Sequence, residues 1–145
     1  MSVDVQREVA IRRPRTAVAA YMFDPRNDTQ WTTGVVESRP LSEGRLRPGA
    51  RVERTSAFLG RRFSYVYEVA AADDDRSVDL TVAQPFPMHI RYELEDTADG
   101  TLARIRAHGE AKAFFRVAAP LLNTMVGRNI GKDLALLKQQ LEKHT

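Results

Sequence analysis

The stretch FFRVAAPLLNTMVGRNIGKDLALLKQQLEK, residues 114–143, decides the fold, because no other segment reads as a long helix. Leu122, Val126, Ile130, Leu134, Leu137 and Leu141 recur three or four residues apart, one apolar stripe at helical period. Lys132, Lys138, Gln139 and Glu142 lie largely off that stripe. The spacing predicts one helix from Phe114 to about Lys143. Gly127 and Gly131 stand one turn apart beside the stripe, where each costs roughly 1 kcal/mol relative to Ala. Two readings of them stand: backbone and sheet approach closely there, or the helix leaves room for something between itself and the sheet.

Outward from the helix, the preceding chain mostly alternates apolar and polar residues in strand fashion. Strands are expected at about 2–11, 35–41, 50–58, 62–72, 77–83, 88–95 and 101–112. After the first, Arg12-Arg13-Pro14 opens a short amphipathic helix through Ala17, Val18, Ala20, Tyr21 and Met22. Asp24-Pro25 ends that helix, and Asp24 can cap a second short turn running to Trp31. Turns carry Gly44, Pro48 and Gly49, then Leu59-Gly60-Arg61, Asp73–Arg76, Gln84–Pro87 and Asp99-Gly100. The order is α+β: a strand, two short helices, a six-strand meander and a long terminal helix.

At 145 residues, residues 1–145 read as a single domain able to bury a real core. A 43% hydrophobic and 28% charged composition is that of a soluble globular protein. No apolar run approaches the roughly 20 residues of a membrane span, and the start carries no basic-then-apolar signal pattern, so a cytoplasmic location is expected. The absence of cysteine excludes disulfides, a thiol nucleophile and thiolate metal sites. A formal charge of +3 is too small to point to nucleic acid. No cofactor or metal is expected.

The run Ile11-x-x-Pro14-x-x-x-Val18-x-x-Tyr21-x-x-Asp24, followed by Trp31, resembles the opening of the START-like polyketide cyclase/dehydrase and lipid-transport superfamily. Gly49, Leu59-Gly60-Arg61 and Asp133-Leu134-x-x-Leu137-Lys138 are similar too, so the resemblance covers nearly the whole chain. It implies a helix-grip fold: a seven-stranded curved antiparallel sheet wrapped around the long C-terminal helix, with a cavity between them. Members of that superfamily include ligand carriers and aromatase/cyclases, so these motifs specify the fold more sharply than the chemistry.

Alternation phases the inner face independently. Phe63, Tyr65, Tyr67 and Val69 share one face of the fourth strand; Val78, Leu80 and Val82 follow on the fifth. Met88, Ile90, Tyr92 and Leu94 face in on the sixth, and Ala103, Ile105, Ala107, Gly109 and Ala111 on the seventh. In the third strand Val52 and Phe58 place Arg54 and Ser56 inward. A buried guanidinium needs a partner, and the inward positions of strands four to seven offer no carboxylate. Arg54 either reaches the rim or stacks on Tyr65 or Tyr67, or it anchors a ligand carboxylate, enolate or phenolate through its planar fork. Arg7 is a weaker candidate of the same kind.

The expected ligand-binding set is therefore Arg54, Ser56, Tyr65, Tyr67, Tyr92 and Trp31, with Trp31 either roofing the cavity or bridging the short helices to the sheet. His89 and His108 fall on the outer face and His144 in the tail, so no histidine base enters the cavity. No catalytic residue is assigned. A meander sends alternate turns to the same end, which gathers Phe58, Leu59, Phe86, Phe114 and Phe115 at one end, where hairpin tips are normally polar. Arg61, Arg62, Lys112 and Arg116 surround that end. Phe58, Phe86, Phe114 and Phe115 are the expected cavity mouth, suited to transient contact with an anionic membrane or an acidic partner. The leading functional expectation is binding of a small hydrophobic or amphipathic molecule. The alternatives are a polyketide aromatase/cyclase and a cavity-poor partner-binding module.

Overall fold

The computed structural model describes residues 3–110 and 112–143, with the backbone alone at 112 and 113. Ala111, His144 and the side chain of Lys112 lie outside the described residues. Strand β1 (Val3–Ile11) leads through α1 (Arg15–Met22), a 3-10 turn (Pro25–Asn27) and α2 (Asp28–Trp31) into the meander. Its strands are β2 (Val35–Pro40), β3 (Arg51–Phe58), β4 (Arg61–Asp73), β5 (Ser77–Val82), β6 (Met88–Thr97) and β7 (Gly100–Gly109). Two helices finish the described chain, α3 (Lys112–Phe115) and α4 (Ala119–Glu142).

The seven strands form one antiparallel sheet in the order β1-β7-β6-β5-β4-β3-β2, so β1 closes onto the last strand. The alternation expected from sequence is the observed one. Val52, Arg54 and Ser56 on β3 and Tyr67 and Val69 on β4 are buried, as are Val78, Leu80 and Val82 on β5. Leu122, Ile130, Leu134, Leu137 and Leu141 are the buried stripe of α4, which runs along β1 and touches α2. This is the curved helix-grip fold, with the C-terminal helix lying in the sheet's concavity.

The terminal helix is not continuous from Phe114. It breaks at Arg116–Ala118, where Arg116 takes a φ of 55°. Pro120 explains the break: it has no N–H for the carbonyl four residues back, and its ring would clash there. The helix restarts with Pro120 in its first turn, where that donor is spare. Strand β7 likewise ends at Gly109, short of the expected 112. The Pro87 carbonyl lies so close to Gly109 that no Cβ would fit, and Glu110 N–H donates to the same oxygen at 3.0 Å.

The two glycines of α4 divide between the two readings. A Cβ on Gly127 would strike the Arg7 guanidinium and press on Val5, so this glycine admits a close approach of β1. Around Gly131 there is open space, and no neighbour requires a glycine. Arg7 is itself exposed, bonded to the Gln6 carbonyl at 2.8 Å, and does not reach the interior as an anchor.

Candidate functional site

Two regions occupy the space between the sheet and its helices. The first is a closed polar cluster. Arg54 on β3 is 4% exposed; its Nε donates to Asp28 Oδ2 at 3.0 Å and its Nη2 to the Tyr92 hydroxyl at 3.3 Å. Tyr67 and Ser38 hydroxyls donate to the same carboxylate oxygen at 3.4 and 3.2 Å, and the guanidinium carbon lies 4.6 Å from the Tyr67 ring centroid. The other oxygen, Asp28 Oδ1, is buried without a partner among the described residues. The missing carboxylate thus comes from α2 and not from the sheet.

Burial opposes the charge on Arg54, but Asp28 and the surrounding phenols outweigh it and hold the guanidinium firmly protonated. Burial pushes the Tyr92 phenol up to about 12, with Arg54 opposing and Asp28 adding to the rise. Tyr67 is raised by burial as well. Trp31, fully buried, meets Tyr92 edge-on at 5.6 Å between ring centroids. The structure places Arg54, Tyr67, Tyr92 and Trp31 together under α2, outside the walls of the apolar cavity, with Arg54 over the Tyr67 ring as one of the sequence readings had it. The reason is common: the ion pair with Asp28 draws them together under α2.

The second region is the cavity, about 180 Å³, between the inner faces of β3, β4, β6 and β7 and the first half of α4. Ser56 and Tyr65 line it, and the Ser56 hydroxyl donates to the Tyr65 oxygen at 3.2 Å. Its other walls are largely apolar, including Phe58, Phe63, Phe86 and Phe115. A smaller cavity of about 130 Å³ lies alongside and shares the walls Phe63, Tyr65, Phe86, Met88 and Ile90. The two cavities thus adjoin along a shared, mainly apolar wall.

At the end expected to hold the mouth, the phenylalanines converge. Phe86 lies 5.1 Å from Phe114 and 5.5 Å from Phe115, while Phe63 reaches Phe114 at 5.2 Å and Phe58 reaches Phe115 at 5.2 Å. Phe58, Phe86 and Phe115 touch the cavity, and Phe114 stacks outside them beneath Arg61, whose guanidinium carbon lies 3.8 Å from the ring centroid. Arg61 also donates to the Phe114 carbonyl. Leu59 makes the β3–β4 turn with a φ of 53°, where asparagine or glycine is the usual residue, so an apolar tip is held at some conformational cost.

Sequence reasoning missed Asp133, quoted above only as part of a helix motif. It is 8% exposed, lines the cavity from α4, and accepts from Thr33 N–H at 2.7 Å and Thr33 hydroxyl at 2.8 Å through Oδ1. Burial raises its pKa, against the Thr33 bonds and the Arg54 charge. Its place beside a buried stripe, with a glycine two residues before it, was the available signal.

The outer face carries charge instead. His89 Nδ1 and His108 Nε2 lie 2.9 Å apart, and His89 also reaches Asp79 at 3.2 Å. No group of three or more metal-ligating side chains is assembled among the described residues. No helix among them is long and apolar enough to cross a membrane. At the end opposite the phenylalanines the polar turns meet one another, Arg45 pairing with Asp75 at 2.9 Å and Arg15 with Asp96 at 2.5 Å.

The grip of sheet on helix around an apolar cavity defines a START-like protein. The model of the polyketide cyclase/dehydrase and lipid-transport family matches residues 2–142, and the chain belongs to that family. A START superfamily protein from Mycobacterium smegmatis superimposes with a TM-score of 0.83 at 15% identity, covering 98% of this chain and 99% of that one. The protein TTHA0849 from Thermus thermophilus gives 0.79 at 14% identity, covering 100% and 99%. The di-domain ARO/CYC BexL of the BE-7585A biosynthetic pathway gives 0.76 at 13% identity over 97% of this chain and 50% of its own. At these identities the likeness is one of fold. No curated protein matches.

Proposed function

We propose that the protein binds a small hydrophobic or amphipathic molecule in the cavity under α4, admitted through the phenylalanine cluster. The observation that carries this reading is two adjoining apolar cavities that share Phe63, Tyr65, Phe86, Met88 and Ile90 as walls. Neither volume alone reaches the roughly 300 Å³ at which small-molecule sites begin. Rotation of the shared rings would merge them into a space of that order. The exposed arginines Arg62 and Arg116, with Arg61 on Phe114, suit the mouth to transient contact with an anionic membrane, where hydrophobic ligands are collected.

A second reading is favoured by the small volume: a cavity of about 180 Å³ that stays closed would leave a partner-binding module. The aromatase/cyclase reading draws less support, because Arg54, its expected enolate binder, is paired with Asp28. The test is fluorescence titration with N-phenylnaphthylamine, a neutral hydrophobe that brightens on leaving water. Wild type is expected to bind one equivalent, and Ile90→Phe, which fills the shared wall, to keep the fold and lose the binding. A Phe86→Asp/Phe115→Asp variant should lose both uptake and binding to anionic phospholipid vesicles. No binding by wild type, or equal binding by the filled variant, would leave the module reading standing.

A further inference from the structure

The cavity's polar chemistry limits what the bound molecule can be, given the container reading above. Among the described residues that line it, Asp133 is the one side chain that carries a charge at neutral pH. Its Oδ1 accepts from Thr33 N–H and competes with Asn129 Oδ1 for the Thr33 hydroxyl proton, while Oδ2 has no partner among the described residues. The Ser56 hydroxyl donates to the Tyr65 oxygen, which leaves the Tyr65 O–H and the Asn129 amide N–H as neutral donors there. The open group that carries charge is thus an acceptor, Asp133 Oδ2, on a side chain more than nine-tenths buried.

The wider charge balance points the same way. The buried ionised side chains among the described residues are one guanidinium, Arg54, and two carboxylates, Asp28 and Asp133. Asp28 takes the guanidinium in a direct pair at 3.0 Å, so no buried cation among the described residues remains to receive an anionic headgroup. A ligand carboxylate entering the cavity would meet a second carboxyl group in an apolar surrounding, where like charges repel most and desolvation costs most.

We propose that Asp133 is the polar contact of the bound molecule, and that the ligand class is a compact hydrophobe ending in a hydrogen-bond donor, an alcohol, phenol or amine, and not a carboxylate. The apolar body would lie against Phe63, Phe86, Ile90 and Val126, with its donor directed to Asp133 Oδ2. Arg54 then has a structural part only. This is the opposite polarity to the sequence reading in which Arg54 anchors an anionic group.

The test compares four probes of one size: naphthalene, naphthol, naphthylmethylamine and naphthoic acid, each titrated against the full chain at neutral pH by displacement of N-phenylnaphthylamine and by calorimetry. Naphthol and naphthylmethylamine are expected to bind about tenfold or more tighter than naphthoate, the range for a hydrogen bond to a charged group. Asp133→Asn keeps an acceptor for Thr33, and should bring naphthol and naphthoate to within a few-fold of each other while naphthalene is unchanged. Naphthoate binding as tightly as naphthol to wild type would overturn the assignment and leave the container intact. A preference that survives Asp133→Asn would overturn the role of Asp133. Failure of all four probes, naphthalene included, would overturn the container reading and this inference together.

Discussion

The two halves of the interior solve the same problem in opposite ways. Under α2, a buried charge is matched by a buried countercharge, ringed by two phenols and a serine hydroxyl, and the space is full. Toward the phenylalanine end, side chains from β4, the turn before β6 and α3 meet one another chiefly through rings, beside an apolar cavity. Directional bonds lock the first region into one arrangement. Ring contacts favour tilted and edge-on geometries, but each is worth only about 0.5–1.5 kcal/mol beyond burial, so the second region rearranges at lower cost. Asp133 and Asn129 stand on α4 at the seam. In this fold the buried ion pair marks the closed part of the grip, and the empty apolar space lies away from it.

The sharpest way to break that comparison is at Asp28. Asp28→Ala leaves the Arg54 guanidinium buried and unpaired, and should lower stability by about 3–5 kcal/mol in denaturant titrations. Replacing both partners, as Asp28→Asn with Arg54→Met, should recover more than half of the loss, because no uncompensated charge remains. At the other end, Phe86→Ala should cost less, about 2 kcal/mol, since the ring is half-buried and abuts a void. It should also speed exchange of N-phenylnaphthylamine in stopped-flow measurements. A larger loss at Phe86 than at Asp28 would invert the picture of a locked and a yielding region.

Smaller effects sharpen it. Gly131→Ala, with open space around it, should stabilise by about 0.5–1 kcal/mol in thermal melts, through helix propensity. Gly127→Ala should gain less or lose, since the new methyl displaces Arg7 and crowds Val5.

The smallest effect concerns pH. Burial lifts the Asp133 pKa above its usual 3.8, so the folded chain keeps that proton to higher pH than the unfolded chain does. Its contribution to stability is therefore present at acid pH and is lost as pH rises through the lifted value. Asp133→Asn should match wild type in acid and gain on it as pH rises above about 4. Paired melts across that range check the sign.

The sheet was legible because its signal is a period of two repeated over strands whose apolar faces are long. That phase put Arg54 inside, and the alternation of turns put Phe58, Phe86, Phe114 and Phe115 at one end. Asp28 was not legible as the partner of Arg54: it lies on a helix of four residues, 26 positions away, and nothing in the pattern brings α2 beneath β3. The break before α4 was written in Pro120 but was overridden by the reading of one continuous helix. Asp133 was visible as a motif residue beside the stripe, yet periodicity cannot tell a helix-edge aspartate facing solvent from one facing a void.

The measurement that goes most directly to the central claim is amide and methyl chemical-shift mapping by NMR on adding naphthol. The account predicts shifts confined to the β3–β4 tip, the Pro85–Met88 turn, Ala107 and the Val126–Asp133 part of α4, with Trp31, Arg54 and Tyr67 unmoved. Shifts centred on Trp31 and Arg54, or in the arginine-lined turns at the opposite end, would contradict it.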